Sequence, residues 1–181
     1  MKLLRRRLLV ACLSLGPLTI KASEFNTKGG SMHPTTSAAE FQSFLARRGI
    51  LLSSIDIPQL VESALSFYET VKAAGLAEGS GADMLLCQWG VYNWGQGEHF
   101  EFDITRQFVG AEDDDDDAMS QLRCTAYFEP LPALRAIPAS NRWCESLANL
   151  PAFSVFVRES AAFQAVQSLK PLKVSVEWSG V

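Results

Sequence analysis

Residues 99–108, HFEFDITRQF, set chemistry-bearing side chains at alternate positions. With the two-residue period of a β-strand, His99, Glu101, Asp103, Thr105 and Gln107 share one face. Phe100, Phe102, Ile104, Arg106 and Phe108 share the other. An imidazole and two carboxylates on one face could grip a divalent cation. A metal site, however, needs three or four donors converging from different directions, usually with more than one His or Cys. The only other histidine is His33, in the stretch without periodicity that precedes Ser37. The favoured reading is therefore a solvated sheet face, with no metal and cross-strand ion pairs to Arg123 or Lys173.

Arg106 is the anomaly, a guanidinium in the apolar set. An arginine is almost never buried without a partner. It can snorkel past Phe108 toward the acidic stretch that follows, or pair with a helix carboxylate such as Glu62 or Glu69. It can also stand in a pocket between sheet and helices and anchor an anionic ligand, with His99 or a nearby acid moving the proton. The two structural readings lead, because pockets are few.

The acidic run Glu112, Asp113, Asp114, Asp115, Asp116, Asp117 is the most conspicuous feature of the chain. A calcium loop needs Gly at its sixth position and Glu at its twelfth. Counted from Asp113 these are Ala118 and Cys124, so the pattern fails. The run is read as a self-repelling solvated loop, or as an element that speeds docking of a basic partner. Trp94 in the Gly-rich bend Asn93-Trp94-Gly95-Gln96-Gly97 is a second candidate contact, while Trp89 shares its phase with core residues. Arg142 and Trp143 are placed in a loop.

Catalytic signatures are scarce. The chain has no Gly-rich phosphate loop after a strand, no G-x-S-x-G and no paired C-x-x-C. A Ser-His-Asp device could be built only around His99, which begins a strand on the wet face. No cofactor is expected, and an enzyme is less favoured than a binder.

The elements that position these residues follow from periodicity. Ser37-x-x-Glu40 opens a first helix, and Asp56 with Pro58 opens a second with a stripe of Leu60, Val61, Ala64, Leu65, Tyr68 and Val71. Strands are predicted at 84–92, 99–108 and 119–129. Pro130, Pro132 and Pro138 make the next stretch irregular, with one helical turn at 133–136. Helices follow near 149 and 160, then a strand at 172–178. The order ααβββααβ points to an α+β fold. We expect a two-layer sandwich, a mainly antiparallel four-stranded sheet with helices on one face and the other face wet.

The leader, residues 1–31, is read as signal-like or mis-started and outside the single globular domain of 32–181. It carries six basic residues and one acid, out of chain totals of 16 and 20. That leaves 10 basic and 19 acidic residues in 32–181, a balance of −9. Such a surface repels phosphate backbones, so nucleic acid is disfavoured and a basic protein partner is compatible. The leader has a basic start, an apolar run from Leu8 to Ile20 and small residues at Ala22-Ser23. Gly16 and Pro17 interrupt it, so a membrane span is not expected. A start near Met32 with a cytoplasmic location is favoured over export with cleavage near Ala22. Without Cys12 three cysteines remain, an odd number for an exported chain. The expected function is a small acidic protein-binding module. An immunity- or antitoxin-like bacterial inhibitor of a basic protein is one form, and a ligand pocket around Arg106 or an exported envelope protein are the alternatives.

Overall fold

Helix α1 spans Ala38–Arg47 and buries Phe41, Phe44 and Leu45, the i, i+3, i+4 spacing of an amphipathic stripe. It stops at Gly49, whose φ of 69° places it in the left-handed region that suits a residue without Cβ. Helix α2, Ile57–Ala73, starts where Asp56 Oδ1 accepts the Gln59 N–H at 2.8 Å. The two helices are joined by aromatic edges. The Phe67 ring lies 5.2 Å from those of both Phe41 and Phe44, and the Arg48 guanidinium sits 3.4 Å over the Phe44 ring.

Three strands follow: β1 (Asp83–Asn93), β2 (Glu98–Val109) and β3 (Met119–Phe128). The β1–β2 bend uses positive φ at Gly95 and Gly97, as a tight hairpin requires. Next come the short helix α3 (Pro132–Arg135), strand β4 (Ser140–Cys144), helix α4 (Leu150–Glu159) and helix α5 (Ala161–Val166). Ser160 caps α5 by accepting the Phe163 N–H at 3.1 Å. Strand β5, Lys173–Ser179, closes the fold.

This computed structural model describes residues 38–74, 83–93, 95, 97–109, 119–144 and 146–179. All of them belong to the unit Met32–Val181. Ser37, Trp94 and 112–117 lie outside the described residues, as does the leader.

The α+β class, the antiparallel sheet and the placement of helices on one face are as expected. The sheet has five strands in the order β4-β1-β2-β3-β5 rather than four. The extra strand is the stretch expected to be a loop. It pairs with the outer edge of β1, Leu85 opposite Cys144 and Trp89 opposite Ser140. Five residues after three prolines give almost no periodicity of their own, so only the free edge of β1 makes them a strand. The Trp89 indole N–H donates to the Pro138 carbonyl at 3.0 Å and ties this segment to β1.

The core lies between the helices and one face of the sheet. Its strand residues all come from a single phase: Leu85, Cys87 and Trp89; Phe100, Phe102 and Ile104; Leu122, Cys124, Ala126 and Phe128. No helix among the described residues is long and apolar enough to cross a membrane.

Burial in this core pushes the Cys124 thiol up from 9.0 to about 12, with the charge of Asp103 adding to the effect. The Cys87 thiol and the Tyr68 phenol are also raised, first by burial. Each holds its proton longer in the folded chain than in the unfolded one. Their stabilisation is therefore complete below about pH 9 and is lost as pH rises toward 12. We expect stability to fall by about 1 kcal/mol per pH unit for each thiol above pH 9, with Tyr68 adding to the loss only above its ordinary 10.0. Urea midpoints measured between pH 8 and pH 11 check this. A flat profile above pH 9 would contradict it.

Candidate functional sites on the two sheet faces

Arg106 lies on the helix-facing side, only 2 % exposed. Its Nε donates to Asp83 Oδ1 at 2.8 Å and Oδ2 at 3.1 Å, and its Nη2 donates to Oδ2 at 2.5 Å. Of the three placements considered for Arg106, the structure shows the internal pair. The carboxylate comes from β1 and not from a helix. Glu69 is exposed, and Glu62 is exposed and bonds Arg158 at 2.8 Å. The geometry is a cross-strand diagonal, since Arg106 opposes Leu85 and Asp83 opposes Phe108. Asp83 occupies the fork that a ligand carboxylate or phosphate would need. In the sequence it follows a Gly-rich stretch, and its phase with Leu85 and Cys87 is the signal that joins it to the strand. The Tyr68 hydroxyl, fully buried on α2 within electrostatic range of both, has no hydrogen-bond partner.

The opposite face departs most from expectation. It carries no helix of the core, yet its centre is not wet. Glu101, Asp103, Thr105, Gln107, Thr125 and Ser175 are all buried. The reason lies in the register. β2 is the middle strand, so each of its residues has a cross-strand neighbour on both sides, and long side chains close over the carboxylates. Arg123 Nη2 donates to Asp103 Oδ2 at 2.6 Å and to Glu101 Oε2 at 3.1 Å. Gln88 adds a donor to the same Asp103 oxygen at 3.3 Å. The cross-strand pairing of Arg123 is as expected.

His99 is held at the rim. Its Nε2 lies 2.7 Å from Glu101 Oε1 and its Nδ1 lies 3.1 Å from the Gly97 carbonyl, so both ring nitrogens face acceptors. Tyr127 stands 5.3 Å away ring to ring, with Lys173 Nζ 5.6 Å over its own ring. His99 and Arg106 therefore lie on opposite faces of the sheet. Among the described residues no cluster of His, Cys, Asp and Glu is arranged to hold a metal ion.

Charge is unevenly balanced here. Burial lowers the Arg123 guanidinium, but the bond and charge of Asp103, with charge from Glu101, together outweigh it and raise the group above its usual value. The Tyr92 phenol is raised by burial and then by Asp103 and Glu101. The field of Asp103 thus reaches its neighbours even with Arg123 bound to it. Its other oxygen, Oδ1, has no hydrogen-bond partner, nor do Thr105 Oγ1, Gln107 Oε1 and Arg123 Nε. Sequence reasoning placed these residues on one face but missed the network, because a period of two says nothing of what folds over a face.

An unpartnered buried hydroxyl costs stability that an isosteric methyl does not. Thr105, 1 % exposed, supplies the test. Thr105→Val is expected to raise stability by about 1 kcal/mol, measured by urea denaturation. A loss of that size would mean the hydroxyl has a partner.

Compared with models of protein families, with curated proteins and with solved structures, the chain gives no match in any of the three.

Proposed function

We propose that this chain is a small acidic binding protein whose partner is a basic protein. The observation that carries this is the pair of buried carboxylates, Glu101 and Asp103, on the sheet face without core helices, with one oxygen of Asp103 unpaired. Desolvated carboxylates of this kind favour a cationic side chain over any neutral one, since the charge is already stripped of water. The acidic run 112–117 follows β2 directly in the chain and adds long-range attraction. An inhibitor of a basic toxin, in the manner of immunity or antitoxin proteins, is one concrete form. In that form the chain needs no catalytic group of its own.

The test is association kinetics with basic partners captured by the full chain. Neutralising Asp113, Asp114, Asp115, Asp116 and Asp117 to Asn is expected to slow association about tenfold at low salt and flatten its salt dependence. The thermal midpoint should stay unchanged. An on-rate equal to wild type at every ionic strength would overturn the proposal.

A further inference from the structure

Asp103, Thr105 and Gln107 follow one another at alternate positions of β2, in steps of about 7 Å along the strand. Each carries one buried oxygen without a partner, Oδ1, Oγ1 and Oε1 respectively. Two of the three can only accept, and the hydroxyl can accept as well. Folded chains leave few such atoms unpaired, and each calls for a donor. We infer that Asp103 Oδ1 and the next oxygen along the row, Thr105 Oγ1, form a seat for an arginine guanidinium presented by the partner, a fork wide enough to bridge two acceptors at that spacing. The inference rests on the basic-partner reading above and names the residues that would recognise it.

The chain already shows what the floor of the seat binds. Arg123, reaching over from β3, spends its Nη2 on Glu101 Oε2 and Asp103 Oδ2 and leaves Asp103 Oδ1 open. His99 adds nothing to that oxygen, because its two nitrogens are taken by Gly97 and Glu101. Arg123 serves both carboxylates and His99 reaches only Glu101, so Asp103 Oδ1 is the carboxylate oxygen left without a donor. Asp103 itself is 0 % exposed, so the seat opens only when a side chain above it moves. Arg123 is the candidate, with a third of its side chain in solvent. A guanidinium entering there adds a charge-assisted bond at Oδ1, which offsets the cost of that movement.

The experiment is a chemical-shift titration of the full chain with N-acetyl-arginine amide. N-acetyl-citrulline amide serves as the uncharged isostere, N-acetyl-lysine amide as the second cation, and spermine as a small polyamine. The arginine probe is expected to shift Asp103, Thr105 and Gln107 saturably, while the citrulline probe leaves them unmoved. Asp103→Asn should weaken the probe about tenfold and Thr105→Val roughly threefold, the losses expected for a charged and a neutral hydrogen bond. Thr105→Val is the safeguard should Asp103→Asn fail to fold. No saturable shift at these residues, or equal binding by Thr105→Val and wild type, overturns the seat. Spermine binding more tightly than the arginine probe overturns the side-chain ligand in favour of a polyamine. If the seat fails while a salt-sensitive basic partner still binds wild type and Asp103→Asn alike, only the seat is lost. If the probe seats but neutralising 113–117 leaves association unchanged, only the basic-partner reading is lost.

Discussion

Arg106→Ala is expected to destabilise the fold by about 3–5 kcal/mol, the cost of leaving a buried carboxylate without its counter-ion. Asp83 is buried, and a guanidinium that donates to both its oxygens is what makes that burial tolerable. The same logic predicts what happens when both charges go. An Asp83→Leu, Arg106→Met double variant should lie within about 1 kcal/mol of wild type, because two apolar side chains need no solvation. Urea denaturation of Asp83→Leu, of Arg106→Met and of the double variant measures the coupling directly. Additive losses would mean that the two side chains do not act as a pair. A stable Arg106→Ala protein would reopen the anion-pocket reading, since an arginine kept for a ligand is dispensable for folding.

The second large effect concerns the other face. Arg123→Ala removes the guanidinium that bonds Glu101 and Asp103, leaving two neighbouring carboxylates buried together. Because a third of the Arg123 side chain is in solvent, the expected loss is smaller, about 2–3 kcal/mol. Adding Asp103→Asn to Arg123→Ala should restore roughly half of that loss, since one charge no longer repels the other. Arg123→Lys should fall between, because an ammonium supplies the charge but not the planar fork. Thermal melts of the four proteins check the order. If Arg123→Ala melts with wild type, the carboxylates have another source of compensation and the network drawn here is decorative.

The two faces explain why one strand carries both kinds of polar residue. On the helix side, Arg106 and Asp83 form a buried ion pair. On the other side the balance is incomplete, with Asp103 Oδ1, Thr105 Oγ1 and Gln107 Oε1 unpaired. Asp103 Oδ1 and Thr105 Oγ1 are the atoms on which the proposed seat rests.

Much of this molecule is legible in the order of its residues. The stripe through Leu60, Val61, Ala64, Leu65 and Tyr68 determines helix α2, and Asp56 with Pro58 marks its start, because local spacing and capping act over one turn. The alternation of Leu122, Cys124, Ala126 and Phe128 with Arg123, Thr125 and Tyr127 determines which side of β3 meets the core. Those are short-range signals. Strand β4 was not legible, because five residues gain their hydrogen bonds from an edge that lies 51 to 59 residues earlier in the chain. The partner of Arg106 was not legible either. A diagonal pair depends on the register of β1 against β2, and many registers satisfy the same hydrophobic pattern until the hairpin closes. The drying of Glu101 and Asp103 is the last such case. Sequence placed them on the face away from the helices, but burial there is set by the position of β2 at the middle of five strands and by Arg123 folding across from its neighbour. Alternation decides which way a side chain points, and only the assembled sheet decides whether water reaches it.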